Sequence, residues 1–319
     1  MDILAETPIH PLRMDGNDFY IKRDDLLPFC LGGNKVRIAH AFLEDMRAKG
    51  GNFMILYGNS RSNLCRVLAN ACRIEGIPCL MVCSDDADGS SVLTGNSRLV
   101  GWLDVEVLHC AKDQIAPAVD RAFEIAESRG FVPYYIYGNR FGEGNEGTAA
   151  RAYADAYGEI CRQEEHMGVH FDYIFHASGT GATQSGLVCG HLLARDERRI
   201  VGISVSRGRE RGTRILRAGV ESYFAGRGLQ LPENFEQEIE LTDAYLAGGY
   251  GKYDDAILSV IRAQFRENGI CLDPTYTGKA FRGMCSYLDD HNIRGKQILF
   301  LHTGGTPLFF DALSSEPDI

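Results

Sequence analysis

The chain has 319 residues, 45% hydrophobic and 24% charged, which are ordinary values for a globular protein long enough for about two domains. Its 43 acidic against 33 basic residues give a formal net charge of −10, which argues against a nucleic-acid or anionic-membrane partner. No stretch is long and apolar enough to span a bilayer, and no paired CxxC or HExxH spacing offers a metal site, so none is expected. The opening "MDILAETPIHPLRMDG" has no cationic segment followed by an apolar run. With 10 cysteines in no secretory setting, a cytoplasmic protein with reduced thiols is expected.

The first informative stretch is "CLGGNKVRIAHAF", residues 30–42. Gly32 and Gly33 free the backbone, Asn34 is placed to cap a helix, and Val36, Ala39, Phe42, Leu43 and Met46 recur at helical steps. Lys35 then falls in the first turn, where the helix dipole disfavours a cation and eases loss of a proton. An ordinary solvated lysine is the alternative.

Beyond it, strand-length apolar runs alternate with helical patterns. "FMILYG", "IPCLMVC", "DVEVLHC" and "PYYIYG" are each followed by a helix, the last of them long, from about Gly147 to His166. "DYIFHAS", "IVGISVS" and "QILFLHTGG" continue the series. Such alternation predicts an α/β protein of two three-layer domains with mostly parallel sheets. The division expected is a smaller α/β unit at 46–154 inserted in a larger one made of 1–45 and 155–319. Cys79 and Cys83 read as strand residues, and Cys65 and Cys72 as buried helix residues.

Four more stretches offer chemistry. In "GNSRSNLCRVLA", residues 58–69, Ser62 and Asn63 stand where a helix begins, as caps or as a receiver for a carboxylate. In "HASGTGATQSGL", residues 176–187, a strand runs through Gly179, Thr180, Gly181, Ala182 and Thr183 into a helix, the composition of a phosphate cradle. Gln184 stands where a dinucleotide loop has its third glycine, and the next strand ends in Ser206 and Arg207 without an acidic residue for a ribose. A tight turn without ligand, or an NADP site with Arg207 on the extra phosphate, remain as alternatives. In "GICLDPTYTGKAFRGM", residues 269–284, Tyr276 follows a proline turn, and "LHTGGTPLFF", residues 301–310, is another strand running into glycines. Arg207, Arg209, Arg211 and Arg214 form a local basic group, either a solvated loop or an anion contact.

"LGGNKVR", "RSN", "GTGATQSGL", "GGYGKY", "LDPTYTGKA" and "HTGGTP", in this order over nearly the whole chain, resemble one family. It comprises the pyridoxal-phosphate enzymes that include 1-aminocyclopropane-1-carboxylate deaminase and D-cysteine desulfhydrase. The resemblance implies a tryptophan-synthase-β type fold, usually a homodimer, acting on a small amino acid. It implies that Lys35 forms the Schiff base with pyridoxal phosphate and that Gly179 to Thr183 hold the phosphate. Asn63 then contacts the ring hydroxyl, Ser62 the substrate carboxylate, and Tyr276 and Tyr250 present phenols to the pocket. Thr303 is implied as a cofactor contact and Thr277 as a substrate contact.

Deaminase-type members tend to carry glutamate and leucine where this chain has Thr277 and Thr303, the desulfhydrase pattern. A neutral hydroxyl suffices where a good leaving group departs from the β-carbon, so β-elimination is expected, giving a 2-oxo acid and ammonia. Ring-opening deamination is the alternative within the family; an NADP-dependent oxidoreductase and a non-catalytic amino-acid sensor lie outside it. Two departures stand out: Arg61 replaces the usual glutamine before the Ser-Asn pair, and Leu64 follows it. Arg61 either pairs with a second anionic group of the substrate or faces solvent or an acidic neighbour. "YYIYGNRFGEGNEG" also departs from the usual proline-and-diglycine wording, with Asn139, Arg140 and Glu143 in the pocket wall.

Overall fold

The computed structural model describes residues 4–85 and 89–314. Runs of apolar residues bounded by polar or glycine positions form strands buried on both faces, as parallel sheets require. Strands β1 (Ile9–Pro11), β2 (Asp18–Lys22), β7 (Tyr173–Ser178), β8 (Arg199–Ser204), β9 (Glu240–Thr242) and β10 (Gln297–Leu301) make a sheet of order β1-β2-β10-β7-β8-β9. Only β1 and β2 pair antiparallel; every other neighbour is parallel. Strands β3 (Phe53–Gly58), β4 (Cys79–Ser84), β5 (Glu106–Cys110) and β6 (Pro133–Tyr135) form a second, wholly parallel sheet of order β5-β4-β3-β6. The expected α/β architecture with parallel sheets is therefore present. The expected boundaries at 45/46 and 154/155 fall inside two helices, α1 (Asn34–Ala48) and α5 (Glu146–Met167).

Helices cover the sheets. In the smaller unit lie α2 (Asn63–Glu75), α3 (Gly95–Gly101) and α4 (Ile115–Ser128). In the larger lie α6 (Ala182–Ala194), α7 (Arg209–Gly226), α8 (Asp255–Asn268), α9 (Thr277–Asp290) and α10 (Thr306–Leu313). Helix α5 packs closely on α6 because glycines face it: a Cβ on Gly186 would lie 2.3 Å from the Ala150 carbonyl, and one on Gly190 2.3 Å from Tyr157 Cβ. Helix α2 ends on Gly76 in the left-handed region, a residue without steric penalty there. Cys65 and Cys72 are fully buried on α2, Cys79 and Cys83 lie in β4, and all 10 cysteines are free. Among the described residues no helix is long and apolar enough to cross a membrane, and no group of three His, Cys, Asp or Glu side chains is placed to hold a metal.

One buried ionic cluster ties α1 to both its neighbours. Arg37 donates to Asp24 in fork geometry, at 3.0 Å from Nε and 3.0 Å from Nη2, and to Glu159 of α5 at 2.8 and 3.0 Å. Lys22 of β2 also pairs with Glu159, and Tyr153 and Thr7 donate to Asp24. Burial pushes the Asp24 carboxyl up, but Arg37 and Lys22 outweigh it and hold it below its ordinary value. Two cations and two anions balance inside the core, so removing one leaves an uncompensated charge. Asp24→Ala is therefore expected to cost about 3–5 kcal/mol, read as a lower urea midpoint at unchanged slope. An unchanged midpoint would show the cluster to be dispensable.

Candidate active site

Helix α1 begins at Asn34, and its cap is Gly33, at φ 95°, rather than Asn34 as the sequence suggests. The reason is contact. A Cβ on Gly33 would lie 3.0 Å from the Thr303 carbonyl oxygen, and one on Gly304 2.6 Å from Gly33 Cα, so the two turns meet backbone on backbone. The freed Asn34 reaches outward: its N–H donates to the Thr303 carbonyl at 3.1 Å and its side-chain amide to Thr183 Oγ1 at 2.8 Å. Lys35, the next residue, thus stands beside both the loop after β7 and the turn after β10. Burial lowers its pKa from 10.5 to about 8. Desolvation of the amine is the cause.

The loop from Gly179 to Thr183 leads from β7 into α6, with Gly181 capping the helix at φ 98°. The first N–H groups of a helix have no partner within it, so this turn offers donors to an anion. Thr180 is exposed at the tip, whereas Thr183 is buried on Asn34. A Cβ on Gly179 would lie 3.9 Å from Tyr276 Cε1, which sets that ring against the loop. The Tyr276 hydroxyl lies 2.6 Å from that of Tyr250, and the Tyr250 hydroxyl donates to Asn59 Oδ1 at 3.5 Å. Burial raises the Tyr276 pKa, so the phenol keeps its proton.

Asn59 opens the turn that carries Arg61, Ser62 and Asn63. Ser62 caps α2, its Oγ accepting the Cys65 N–H at 3.2 Å. Asn63 is the first residue of α2, and its Oδ1 accepts from Asn96 at 2.9 Å and from Arg66 at 3.4 Å. With the oxygen held by these two, the amide N–H₂ is the end turned the other way. Arg66 is 1% exposed and donates to Asn96 at 2.8 Å as well. Asn96 also donates to the Arg61 carbonyl at 3.0 Å, which fixes the turn from below. The Arg61 guanidinium lies against Gly251, 3.2 Å from a Cβ placed there, and within electrostatic reach of Tyr276.

Thr277 departs from the expected substrate contact. Its hydroxyl donates to Asp273 Oδ1 at 2.9 Å and accepts the Asp273 N–H at 2.9 Å, and the residue is fully buried. Asp273 organises this whole turn, accepting also from the N–H groups of Thr275, Tyr276 and Thr277. Burial raises its pKa to about 6 in spite of those donors. Lys279, on α9, donates to the carbonyls of Leu246 at 2.9 Å and Gly249 at 2.6 Å, fastening the loop that carries Tyr250. Thr303 is buried, its carbonyl taken by Asn34. Asn96, Arg66, Asp273 and Lys279 were not singled out from sequence; the last two stand within the "LDPTYTGKA" motif, while Asn96 and Arg66 act across 30 residues or more.

A nucleophilic amine, an anion-binding helix start and amide and phenol groups thus converge between the two sheets. That combination defines an enzyme site for an aldehyde cofactor bearing a phosphate. The chain belongs to the pyridoxal-phosphate dependent enzyme family, whose model matches residues 2–304. A Pyrococcus horikoshii protein provisionally named as a 1-aminocyclopropane-1-carboxylate deaminase is 36% identical over 308 residues, covering 94% of this chain and 89% of that one. The D-cysteine desulfhydrase of Serratia proteamaculans is 30% identical over 306 residues, covering 92% and 88%. The crystal structure of an ACC deaminase homologue superposes with a TM-score of 0.84 at 34% identity over 98% of this chain and 94% of that one. Cysteine synthase from Entamoeba histolytica, at 15% identity and a TM-score of 0.68 over 100% of this chain and 90% of that one, shares the fold. The expected family, fold and cofactor are thereby established, which ends the NADP reading of "GTGAT".

The residues present fit pyridoxal phosphate: a desolvated lysine next to the Asn34 that binds the loop after β7, a helix start whose first N–H groups lack helical partners, and an amide oriented by Asn96. If Asn63 addresses the ring oxygen, Asn96 holds it there. Asn96→Ala is expected to weaken pyridoxal-phosphate affinity about fivefold to tenfold, the loss of one buried hydrogen bond, in a fluorescence titration of the apoprotein. Unaltered affinity would detach Asn96 from cofactor binding.

Proposed function

We propose that this chain catalyses β-elimination from a small amino acid, releasing a 2-oxo acid and ammonia. Pyridoxal phosphate, when bound, supplies an aldehyde for amine exchange and a conjugated ring that withdraws electrons from the substrate α-carbon. The residues do the rest. Ser62 and the start of α2 receive the substrate carboxylate, and the loop from Gly179 to Thr183 receives the cofactor phosphate. Asn63 donates to the ring oxygen. Lys35 holds the cofactor and then removes the α-proton, with the paired phenols of Tyr276 and Tyr250 beside the leaving group. Lysine at its ordinary pKa is well under one per cent neutral at pH 8, whereas a pKa near 8 leaves roughly half of it unprotonated and reactive.

The observation carrying elimination over ring-opening is Thr277. Its hydroxyl is engaged with Asp273, so no charged side chain issues from that position toward the cofactor ring. An electron sink without added protonation suits a β-substituent that leaves readily. A homodimer in the cytoplasm accompanies this reading.

Two outcomes follow. Pyridoxal phosphate added to apoprotein is expected to develop its visible band about tenfold faster per pH unit below 8 and to level off above it, because only the neutral Lys35 amine reacts. A rate independent of pH from 6 to 8 would refute the assignment. Lys35→Met is expected to abolish the band and turnover while leaving the melting temperature unchanged or raised. A lysine whose folded pKa is lowered destabilises the fold below about 8, and that penalty fades as pH rises toward 10.5. Turnover surviving in the variant would exclude Lys35.

A further inference from the structure

Arg207 is a cation in the cleft that nothing in the proposed reaction uses. It stands just beyond β8, its backbone held by Ser204: Ser204 Oγ donates to the Arg207 carbonyl at 2.6 Å and accepts its N–H at 3.2 Å. Nη1 donates to the carbonyl of Gly179, the first residue of the phosphate loop. The phenols of Tyr137 and Tyr57, on the side of the other sheet, are within electrostatic reach of its charge. Those rings stand at the ends of β6 and β3 with centroids 6.1 Å apart, and Tyr137 is in electrostatic reach of Tyr250. Gly179, which takes the Arg207 contact, abuts the Tyr276 ring in turn, so Arg207 stands beside the phenol pair of Tyr276 and Tyr250.

No carboxylate of the described residues pairs with it, and the charged side chain nearest to it in effect is Arg211, of the same sign. The acids nearby in sequence are committed elsewhere, Asp243 to the Arg209 N–H at 2.7 Å and Glu210 to Arg214 at 3.2 Å. Other buried arginines differ: Arg37 has Asp24 and Glu159, and Arg198 has Glu164 at 2.8 Å and Asp196 at 3.1 Å. Arg66, also without a carboxylate, has three side-chain acceptors in Asn96, Asn63 and Cys30. A partly desolvated guanidinium with a single protein acceptor is unfavourable unless a ligand supplies the counter-charge. The cofactor phosphate is the second candidate, since Arg207 borders a small cleft with Gly179, Thr180 and Gly181. Arg207 binds a carbonyl of the loop, whereas a phosphate is met by the loop's N–H groups.

We propose that Arg207, with the phenols of Tyr57 and Tyr137, receives an anionic group at the side-chain end of the substrate: a carboxylate, sulfonate or phosphate. The substrate is then an acidic amino acid, held at its α-carboxylate by one unit and at its far end by Arg207. This rests on the amino-acid reading above. Arg61, beside Gly251 and Tyr276, is the rival receiver.

The test uses charge, with shape held nearly constant between aspartate and asparagine. The holoenzyme is titrated with D- and L-aspartate against D- and L-asparagine, and with O-phosphoserine against serine, following the visible band and the melting temperature. In one pair at least, the anionic member is expected to half-saturate at a tenfold or lower concentration than its neutral partner. That ratio is expected to fall to near one in Arg207→Gln and to survive in part in Arg207→Lys. No preference in the wild type, a preference kept in Arg207→Gln, or one lost only in Arg61→Gln would each overturn the proposal. So would a pyridoxal-phosphate affinity weakened tenfold in Arg207→Gln with the ratio intact, which would assign the side chain to the cofactor. Protein that takes up no pyridoxal phosphate would instead overturn the parent reading, and the melting shifts would still decide Arg207.

Discussion

The placement of Lys35 depends on an ionic cluster it does not touch. Arg37 follows Lys35 by two residues, and two steps along a helix rotate a side chain by about 200°. One face of α1 is therefore clamped by Asp24 and Glu159, while the opposite face carries the amine toward the cleft. The cluster draws on β2, the turn at residues 24–26 and α5, so the helix is fixed relative to the larger sheet and to the helix layer together. A neutral set of two cations and two anions tolerates burial where a lone charge would not. The buried charges hold the helix that carries the amine, and in the role proposed for Lys35 such fixed placement is what proton transfer requires.

Backbone contact supplies the second constraint. Gly33 and Gly304 meet at a distance no side chain allows, and Gly305 lies where a Cβ would come within 2.3 Å of Asp273 Oδ1. Three segments far apart in sequence, 32–35, 273–277 and 302–305, are thereby stacked as layers. Each ends a strand or begins a helix, so their exposed backbone groups face the same space, as at the carboxyl ends of parallel strands generally. The His302 ring tightens the last of these turns, accepting the Gly304 N–H at 3.2 Å and meeting the Cys271 carbonyl at 3.1 Å.

Much of this was legible in the chain, for physical reasons. Long helices announce themselves by period: α1, α2 and α5 begin within a residue or two of expectation, and α5 also ends so. Buried parallel strands appear as continuous apolar runs, and all of those named above lie in one of the two sheets. Strands β1 and β9 have 3 residues each and no period to read, so their places were not foreseen. The cap of α1 was misplaced by one residue because Asn34 has two uses, cap or cross-link, and only the approach of the turn after β10 decides between them. Thr277 was expected to face a ligand because it stands where deaminase-type members of the family carry glutamate. The first turn of a helix can fold a hydroxyl back onto the preceding aspartate, and here it does. Asn96 and Arg66 are polar residues of common type, and the pairing of Asn96 with Asn63 and Arg66 belongs to the tertiary structure alone.

The overall charge of −10 and the local charge of the cleft carry opposite messages. Global negative charge keeps nucleic acid away, yet the space between the sheets is edged by Lys35, Arg61 and Arg207, with Arg66 beneath the turn that carries Asn63. A cleft with low-dielectric walls concentrates the field of such groups, so the interior attracts small anions that the exterior repels. The amine of Lys35, moreover, is the one cation of the four that burial brings near neutrality at physiological pH. On the reading proposed above, an acidic amino acid would meet permanent positive charge at its side-chain end and a removable one at its reacting carbon. That division of labour, guanidinium for binding and amine for proton transfer, follows from their chemistry: guanidinium holds its proton in nearly every environment, whereas a buried lysine gives it up.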